Sequence, residues 1–429
     1  MKQRNALFLL LLLFGCEDQF EDTYRYSHII TQSKTYPVYL DTSEIDTILV
    51  RENAPLEKPF KILSNYNHLF VGEMLRGVHV YQKQASAIQY LCLIECKYLK
   101  DFELAGTRLY MNNLVDMVVA DVTHPLQLQV IHRQKNHFNR FTSYKTSWNL
   151  PYVEGKGFIV GHETHELTGV VTDEQTELDF TTLDEQYGSI TTTDLPETWF
   201  SEEPENDPPY VGMVRVGIEQ IYTYGKYNSW SICSYRTGFF SVREEDLWTE
   251  PRGGYAPPYY YSNAFPTQVF MEDEMIYIMG KLTNLRQSYC DVHIYNEEYP
   301  LYYPLYFPDF VAKDICYVPN LNAFVVLTGT SFHGVFISGD SQSGFKRTYK
   351  DFGVATNAVE IFRKGSYLVT LGDELSVWTV TSDDITLVKT YPEISGICGK
   401  VEDSKLIVAN TQGVFQYSIA DLENIQPIP

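Results

Sequence analysis

An all-β fold made of one repeated unit, a single seven-bladed β-propeller, is what this sequence of 429 residues predicts. Three observations point to it. Apolar and polar residues alternate in short runs with the two-residue period of strands. The runs recur as a fixed unit: segment, tight polar turn, segment, break, further segment. β-formers abound, with 33 Tyr and 24 Phe, while long helical patterns are few.

The unit is clearest in FELAGTRLYMNNLVDMVVADVTHP, residues 102–125. Aligned on the second strand, seven copies start at Leu69, Leu109, Ile221, Ile276, Phe324, Leu368 and Leu406, with spacings of 40, 112, 55, 48, 44 and 38 residues. All but one suit a four-stranded blade, and the long one hides an insertion of about 70 residues on a blade of roughly 40. A lone unit cannot bury both faces. Blades around an axis cover one another, and closing the ring hides the terminal edges. Six blades follow if the copy at residues 210–250 is irregular, and eight if the insertion holds a blade of its own. Two sheets packed face to face are the other all-β arrangement that this spacing permits.

Ahead of the repeats lies an address. Residues 1–15 combine a basic start (Lys2, Arg4) with an apolar run from Ala6 to Phe14, too short to cross a bilayer as a mature helix. Leu13-Phe14-Gly15-Cys16 resembles the bacterial lipobox, which implies that residues 1–15 are a signal peptide and that Cys16 is the lipidated first residue. The acidic run Glu17-Asp18-Gln19-Phe20-Glu21-Asp22 resembles a surface-export signal of Gram-negative lipoproteins, implying an outer-membrane, surface-facing location; a plain solvated tether is the alternative. Residues 16–55 then read as an acidic tether with a strand or short helix, and residues 56–429 as the propeller, interrupted by the insertion at 137–212.

Charge and motifs narrow the chemistry. A net charge of −22 leaves no electrostatic footprint for nucleic acid. Fourteen acidic residues and no Lys or Arg lie between Lys156 and Arg215, which marks the insertion as a solvated loop on one face of the ring, with calcium binding by clustered carboxylates the sharper alternative. His162 and His165 are three apart, not at the H-E-x-x-H spacing of zinc helices, and the flanks alternate like a strand. The other cysteines, Cys92, Cys96, Cys233, Cys290, Cys316 and Cys398, sit mostly in apolar runs, as buried thiols do. No nucleophile elbow, P-loop or dinucleotide fingerprint occurs, so neither a catalytic residue, a metal nor a cofactor is indicated.

Aromatics are the better pointer to a ligand. Tyr255, Tyr259, Tyr260 and Tyr261 in GGYAPPYYYSN, and Tyr302 and Tyr303 in EEYPLYYPLYF, read as lying at or beside proline-stiffened connections between an outermost strand and the next innermost one. Stiff exposed aromatics suit glycan and protein contact; packing within strands is the plain alternative.

Asp121-Val122-Thr123-His124-Pro125 closing LVDMVVADV, and Gly77-Val78-His79-Val80-Tyr81 one copy earlier, resemble the LVIVD-repeat bacterial β-propeller lipoproteins. The later five copies keep the strand pattern without the Asp-x-x-x-Pro close. The resemblance spans roughly residues 56–429 and implies a propeller and a lipid anchor, but no activity. The functional expectation is a membrane-anchored binding or scaffold module for a protein or glycan, without catalysis; the alternative is a glycan-active hydrolase or lyase.

Overall fold

The strongest apolar segments of the sequence become strands buried on both faces. Leu69, Phe70 and Val71, Leu109, Tyr110 and Met111, Phe324, Leu368 and Val369, and Leu406 and Val408 are all fully buried. Each such side chain contributes about 1.5–3 kcal/mol of burial free energy, so these strands fix where the sheets stack. The computed structural model describes residues 27–84, 87–135, 152–172, 177–188, 211–222, 225–234, 238–243, 264–272, 275–282, 288–294, 301–307, 312–328, 331–340, 344–353 and 357–428.

Two compact units divide the chain: Met1–Val38 with Ile159–Asn206, and Tyr39–Phe158 with Asp207–Pro429. In the larger, seven antiparallel sheets follow one another among the described residues, each an up-and-down meander in chain order. Sheet I holds Pro59–Ser64, His68–Glu73, Gly77–Lys83 and Ile88–Glu95, with Leu49–Arg51 added beyond its last strand. Sheet II holds Phe102–Ala105, Arg108–Asn113, Asp116–Asp121 and Gln129–Gln134. Sheet III has three strands, Val211–Tyr222, Gly225–Ser234 and Gly238–Arg243, and sheet IV four, Ala264–Glu272, Met275–Leu282, Ser288–Ile294 and Leu301–Phe307. Sheet V comprises Asp314–Val318, Ala323–Leu327, Phe332–Asp340 and Gly344–Asp351. Sheet VI comprises Ala358–Lys364, Tyr367–Gly372, Leu375–Val380 and Ile385–Tyr391, and sheet VII Cys398–Glu402, Lys405–Asn410, Gly413–Ser418 and Gln426–Ile428.

Six of the seven alignment residues start or lie in second strands. Ile221 does not: it is the penultimate residue of the first strand of sheet III and pairs with Lys226. A period of two says which face a residue takes but not which strand of a meander it occupies, so the copy is misphased by one strand.

Among the described residues, shared cores join sheets I with II, V with VI, VI with VII, and VII with I. Phe70, Val78, Val80 and Ile94 of sheet I share a core with Phe102, Leu109, Met111 and Val118 of sheet II. Gly72 permits the closest approach there: a Cβ would lie 2.6 Å from both Phe60 and Phe102, whose rings meet edge-on at 6.0 Å. Sheets V and VI share Val325, Leu327, Phe332, Ile361 and Trp378, and sheets VI and VII share Val369, Leu371, Val377, Leu406 and Val408. The last sheet packs on the first: Cys398, Ile407 and Ala409 join Leu56, Ile62, Leu69, Val71 and Tyr81. First strands run beside first strands, I with II, II with III, III with IV, V with VI, VI with VII and VII with I.

The segment read as a tether has structure from Ser27 onward. Its helix, Thr42–Asp46, is capped by Asp41, whose side chain accepts from Ser43 N–H. Arg133 of sheet II then holds the end of that helix, donating to the carbonyls of Ile45 at 3.2 Å and Asp46 at 3.3 Å.

In the smaller unit, strand Ser27–Leu40 pairs with Gly157–Thr172. Facing threonines, Thr31 with Thr168 at 2.9 Å and Thr35 with Thr164 at 3.0 Å, fix the antiparallel register. A short helix, Thr181–Tyr187, supplies Asp184, which accepts from Tyr36 Oη at 2.8 Å and Lys34 Nζ at 2.5 Å. Burial, reinforced by that carboxylate, pushes the Tyr36 phenol up to about 12. Part of the insertion, expected as a solvated loop, is therefore a sixteen-residue strand.

Candidate functional site

Among the first strands whose side chains are described, each carries an ionisable residue in its interior or at its start: Lys61 in sheet I, Glu103 in II, Asp314 in V, Glu360 in VI and Lys400 in VII. First strands neighbour one another, so these side chains come from strands that run side by side. Strand alternation explains their direction. In Cys398–Glu402, Val401 belongs to the core shared with sheet VI, and Cys398 to the core shared with sheet I, so Lys400 and Glu402 lie on the sheet I side.

Where sheets VII, I and II meet, Lys61 Nζ donates to Asp101 Oδ1 at 2.8 Å and to the Phe102 carbonyl at 2.8 Å, with Glu103 Oε2 at 3.6 Å. Burial opposes the Lys61 charge, but Asp101 and Glu103 outweigh it and hold the ammonium above the usual lysine range. Burial raises Glu103, with Lys61 working against the shift. Burial also pulls Lys400 below the usual lysine range, opposed by Glu402 and Glu103. Lys83 and Glu402 bridge sheets I and VII at 2.6 Å.

On the V–VI–VII side, carboxylates reach forward to the next sheet. Asp314, 8% exposed, accepts from Ile361 N–H at 2.8 Å and from Ile315 N–H at 2.9 Å. Burial nonetheless pushes it up to about 7, the two backbone donors only reducing the shift. Glu360 accepts from Gly399 N–H at 2.6 Å. Burial raises it well above the ordinary range, and the nearby Asp314 adds to this. Two carboxyls with raised values in one layer form an arrangement capable of holding a proton near neutrality.

A third cluster lies in sheet I, with Glu73 and His79 buried and Arg76 at its partly exposed edge. Glu73 meets His79 Nε2 at 2.6 Å, and Arg76 donates to both Glu73 oxygens at 3.1 Å. Burial lowers His79 despite the carboxylate, so this group acts as a strut around the Met74–Arg76 turn.

The residues singled out in the sequence fall elsewhere. Cys16, Tyr255, Tyr259, Tyr260 and Tyr261 lie outside the described residues. Tyr302 and Tyr303 lie beside the connection to sheet V, in the last strand of sheet IV, where they pair with His293 and Val292. A strand of alternating aromatics and a stiff loop of aromatics look alike when prolines interrupt both, and here Pro304 sits within the strand, paired with Asp291. Cys92, Cys96, Cys316 and Cys398 are buried, and burial pushes the Cys92 thiol up to about 11 and the Cys96 thiol up to about 12. Among the described residues no cluster of metal-ligating groups occurs, and no helix is long and apolar enough to cross a membrane.

The inner-strand residues did leave a trace in the sequence. Phe60-Lys61-Ile62, Phe102-Glu103-Leu104, Val359-Glu360-Ile361 and Gly399-Lys400-Val401 each set one charge inside an apolar first strand. A solvated strand face gives the same pattern, so only the packing separates the two.

No protein-family model matches the chain, and no curated protein matches it. Among solved structures, it is similar to the periplasmic gluconolactonase PpgL of Pseudomonas aeruginosa, at 10% identity over 79% of this chain and 85% of that one, with a TM-score of 0.45. It is also similar to Sqt1 of Saccharomyces cerevisiae, at 8% identity over 92% and 99%, with a TM-score of 0.44. A candidate 6-phosphogluconolactonase of Bacteroides uniformis aligns at 10% identity over 82% and 91%, with a TM-score of 0.43. At such identities no residue's role passes from these proteins to this chain.

Proposed function

We propose that this chain is a surface-exposed outer-membrane lipoprotein, anchored through Cys16, whose seven sheets close into one seven-bladed propeller that binds a glycan or a protein without catalysis. The observation that carries the binding reading is how the inner-strand charges are used. Lys61, Asp314 and Glu360 each bond across to the following sheet. Groups spent in this way stiffen the ring, and a rigid concave surface lowers the ordering cost of recognition. The shared core of sheets VII and I supports closure. The lipobox-like Leu13-Phe14-Gly15-Cys16 and the acidic residues after it support the location, and the Asp121–Pro125 close supports kinship with the LVIVD-repeat lipoproteins.

One observation favours a second reading, a glycan-active hydrolase or lyase. Asp314 and Glu360 are carboxyls with raised values on adjacent inner strands, as an acid and base pair would be. Screening the purified mature protein on glycan arrays and against chromogenic glycosides separates the two. Binding without turnover is expected. Turnover abolished by Glu360→Gln or Asp314→Asn would establish the enzyme instead. Cys16→Ser is expected to release the protein from the outer-membrane fraction, and its retention there would overturn the anchor.

A further inference from the structure

His79 sits where the first and last sheets meet. Its neighbours Val78 and Val80 belong to the core shared with sheet II, so strand alternation turns His79 to the opposite face. There it pairs with Val71, which belongs with Leu69 and Tyr81 to the core shared with sheet VII. The side chain is wholly shut off from solvent. Glu73 Oε2 meets its Nε2 at 2.6 Å, and the same carboxylate accepts from Glu57 N–H at 3.1 Å and from Arg76 at 3.1 Å. A carboxylate held by an arginine only accepts, so Nε2 carries the imidazole hydrogen and Nδ1 is a bare acceptor. Among the described residues Nδ1 is buried with no hydrogen-bond partner.

We propose that His79 is an acid-sensitive latch between the first and last sheets: a proton added at Nδ1 parts sheet I from sheet VII while the other shared cores stay closed. That proton would set a positive charge and an N–H donor where no acceptor stands, which is costly among packed apolar groups. Glu73 favours the imidazolium, but Arg76 already shares both of its oxygens and repels a second positive charge. The other ionisable groups around the ring are Tyr90, 5.8 Å away between ring centres, Tyr81, edge-on to Tyr90 at 5.3 Å, and the exposed Glu57, 3.7 Å from Arg76. Burial raises both phenols, so they stay neutral in acid. Sheet VII presents Cys398, Ile407, Ala409 and Val414, a thiol that burial keeps protonated and three apolar side chains, and none of the four takes up the new hydrogen. The ion pair of Lys83 with Glu402 spans the same contact from the far end of the strand. Closed, the imidazole stays neutral below its ordinary 6.5; parted, it binds the proton, so the contact weakens as pH falls below about 6.5.

The test is hydrogen exchange of the full chain, wild type and His79→Gln, from about pH 7.5 to about pH 5, each rate divided by that of the unstructured chain at the same pH. Gln keeps a donor for Glu73 but takes no proton. The ratio of wild-type to variant opening should rise about tenfold per pH unit below about pH 6.5, the effect of one proton, in His68–Glu73 and Lys405–Asn410. It should stay level in Ala323–Leu327, part of the core between sheets V and VI. Asp314 titrates alike in both proteins and cancels in the ratio. A flat ratio, a rise confined to the Met74–Arg76 turn, or an equal rise in Ala323–Leu327 would each overturn the latch. Nitrogen-15 NMR of histidine-labelled chain reads the ring directly, with the His79 signal assigned by its absence from His79→Gln or His79→Asn. A single hydrogen on Nε2 that persists at about pH 6 is expected, and titration near the ordinary imidazole value would overturn the proposal whatever the variants do.

Discussion

Asp314 shows how a single residue couples the stacking of two sheets to pH. Its carboxyl is held at about 7 against an ordinary 3.8 because burial penalises the charge more than two backbone donors favour it. A raised carboxyl means that the folded chain keeps a proton the unfolded chain has released, so stability falls as pH rises from about 4 to about 7. Asn cannot ionise but gives up one of the two acceptor oxygens. Asp314→Asn should therefore destabilise at about pH 5 and lose that disadvantage at about pH 8, a swing on the order of a few kcal/mol. Denaturant midpoints of both proteins at both pH values measure it, and a pH-independent difference would show that Asp314 is not raised. Nothing in the sequence around Lys313-Asp314-Ile315 distinguishes this aspartate from a solvated one. It is bonded by the backbone of Ile361, 47 positions on by number, and only the stacking of sheet V on sheet VI brings the two together.

Hairpins and ribbons are where local sequence was most informative. Ala105-Gly106-Thr107-Arg108 and Lys364-Gly365-Ser366-Tyr367 are two-residue connections between first and second strands, and their glycines take φ of +62° and +61° with open space around them. Gly365→Ala should thus cost about 1–2 kcal/mol from backbone conformation alone. Gly72→Ala should cost a comparable 1–3 kcal/mol for another reason, since its Cβ must displace Phe60 or Phe102. Thermal or denaturant unfolding of the two variants gives both numbers, and crystal structures should show unmoved neighbours for the first and a shifted Phe ring for the second. The smaller unit was less legible. His165 was rightly read on a strand, but the helix that covers it is seven residues long and weakly patterned, and its anchor, Asp184, sits in a run of acids that all look alike. Tyr36→Phe removes one bond to that carboxylate. It should lower protection of the Ser27–Leu40 strand in hydrogen exchange by about 1–3 kcal/mol, while sheet VII stays unchanged.

At the scale of the molecule, the seven alignment residues predicted seven sheets, because a buried strand leaves an apolar run at regular intervals whatever its neighbours. The misphased Ile221 shows the limit of such reading: periodicity counts strands without ranking them within a sheet. What periodicity could not disclose is which sheets touch. Sheet VII meets sheet I through Ile407, Ala409 and Cys398 against Leu69, Val71 and Ile62, residues more than 300 positions apart. The proposed closure of the ring depends on that contact. A double-mutant cycle with Leu69→Ala and Ile407→Ala, read by denaturant unfolding, tests it directly. A closed ring predicts that the two losses fail to add, with a coupling of about 0.5–3 kcal/mol, whereas strictly additive losses would mean that the first and last sheets do not share a core.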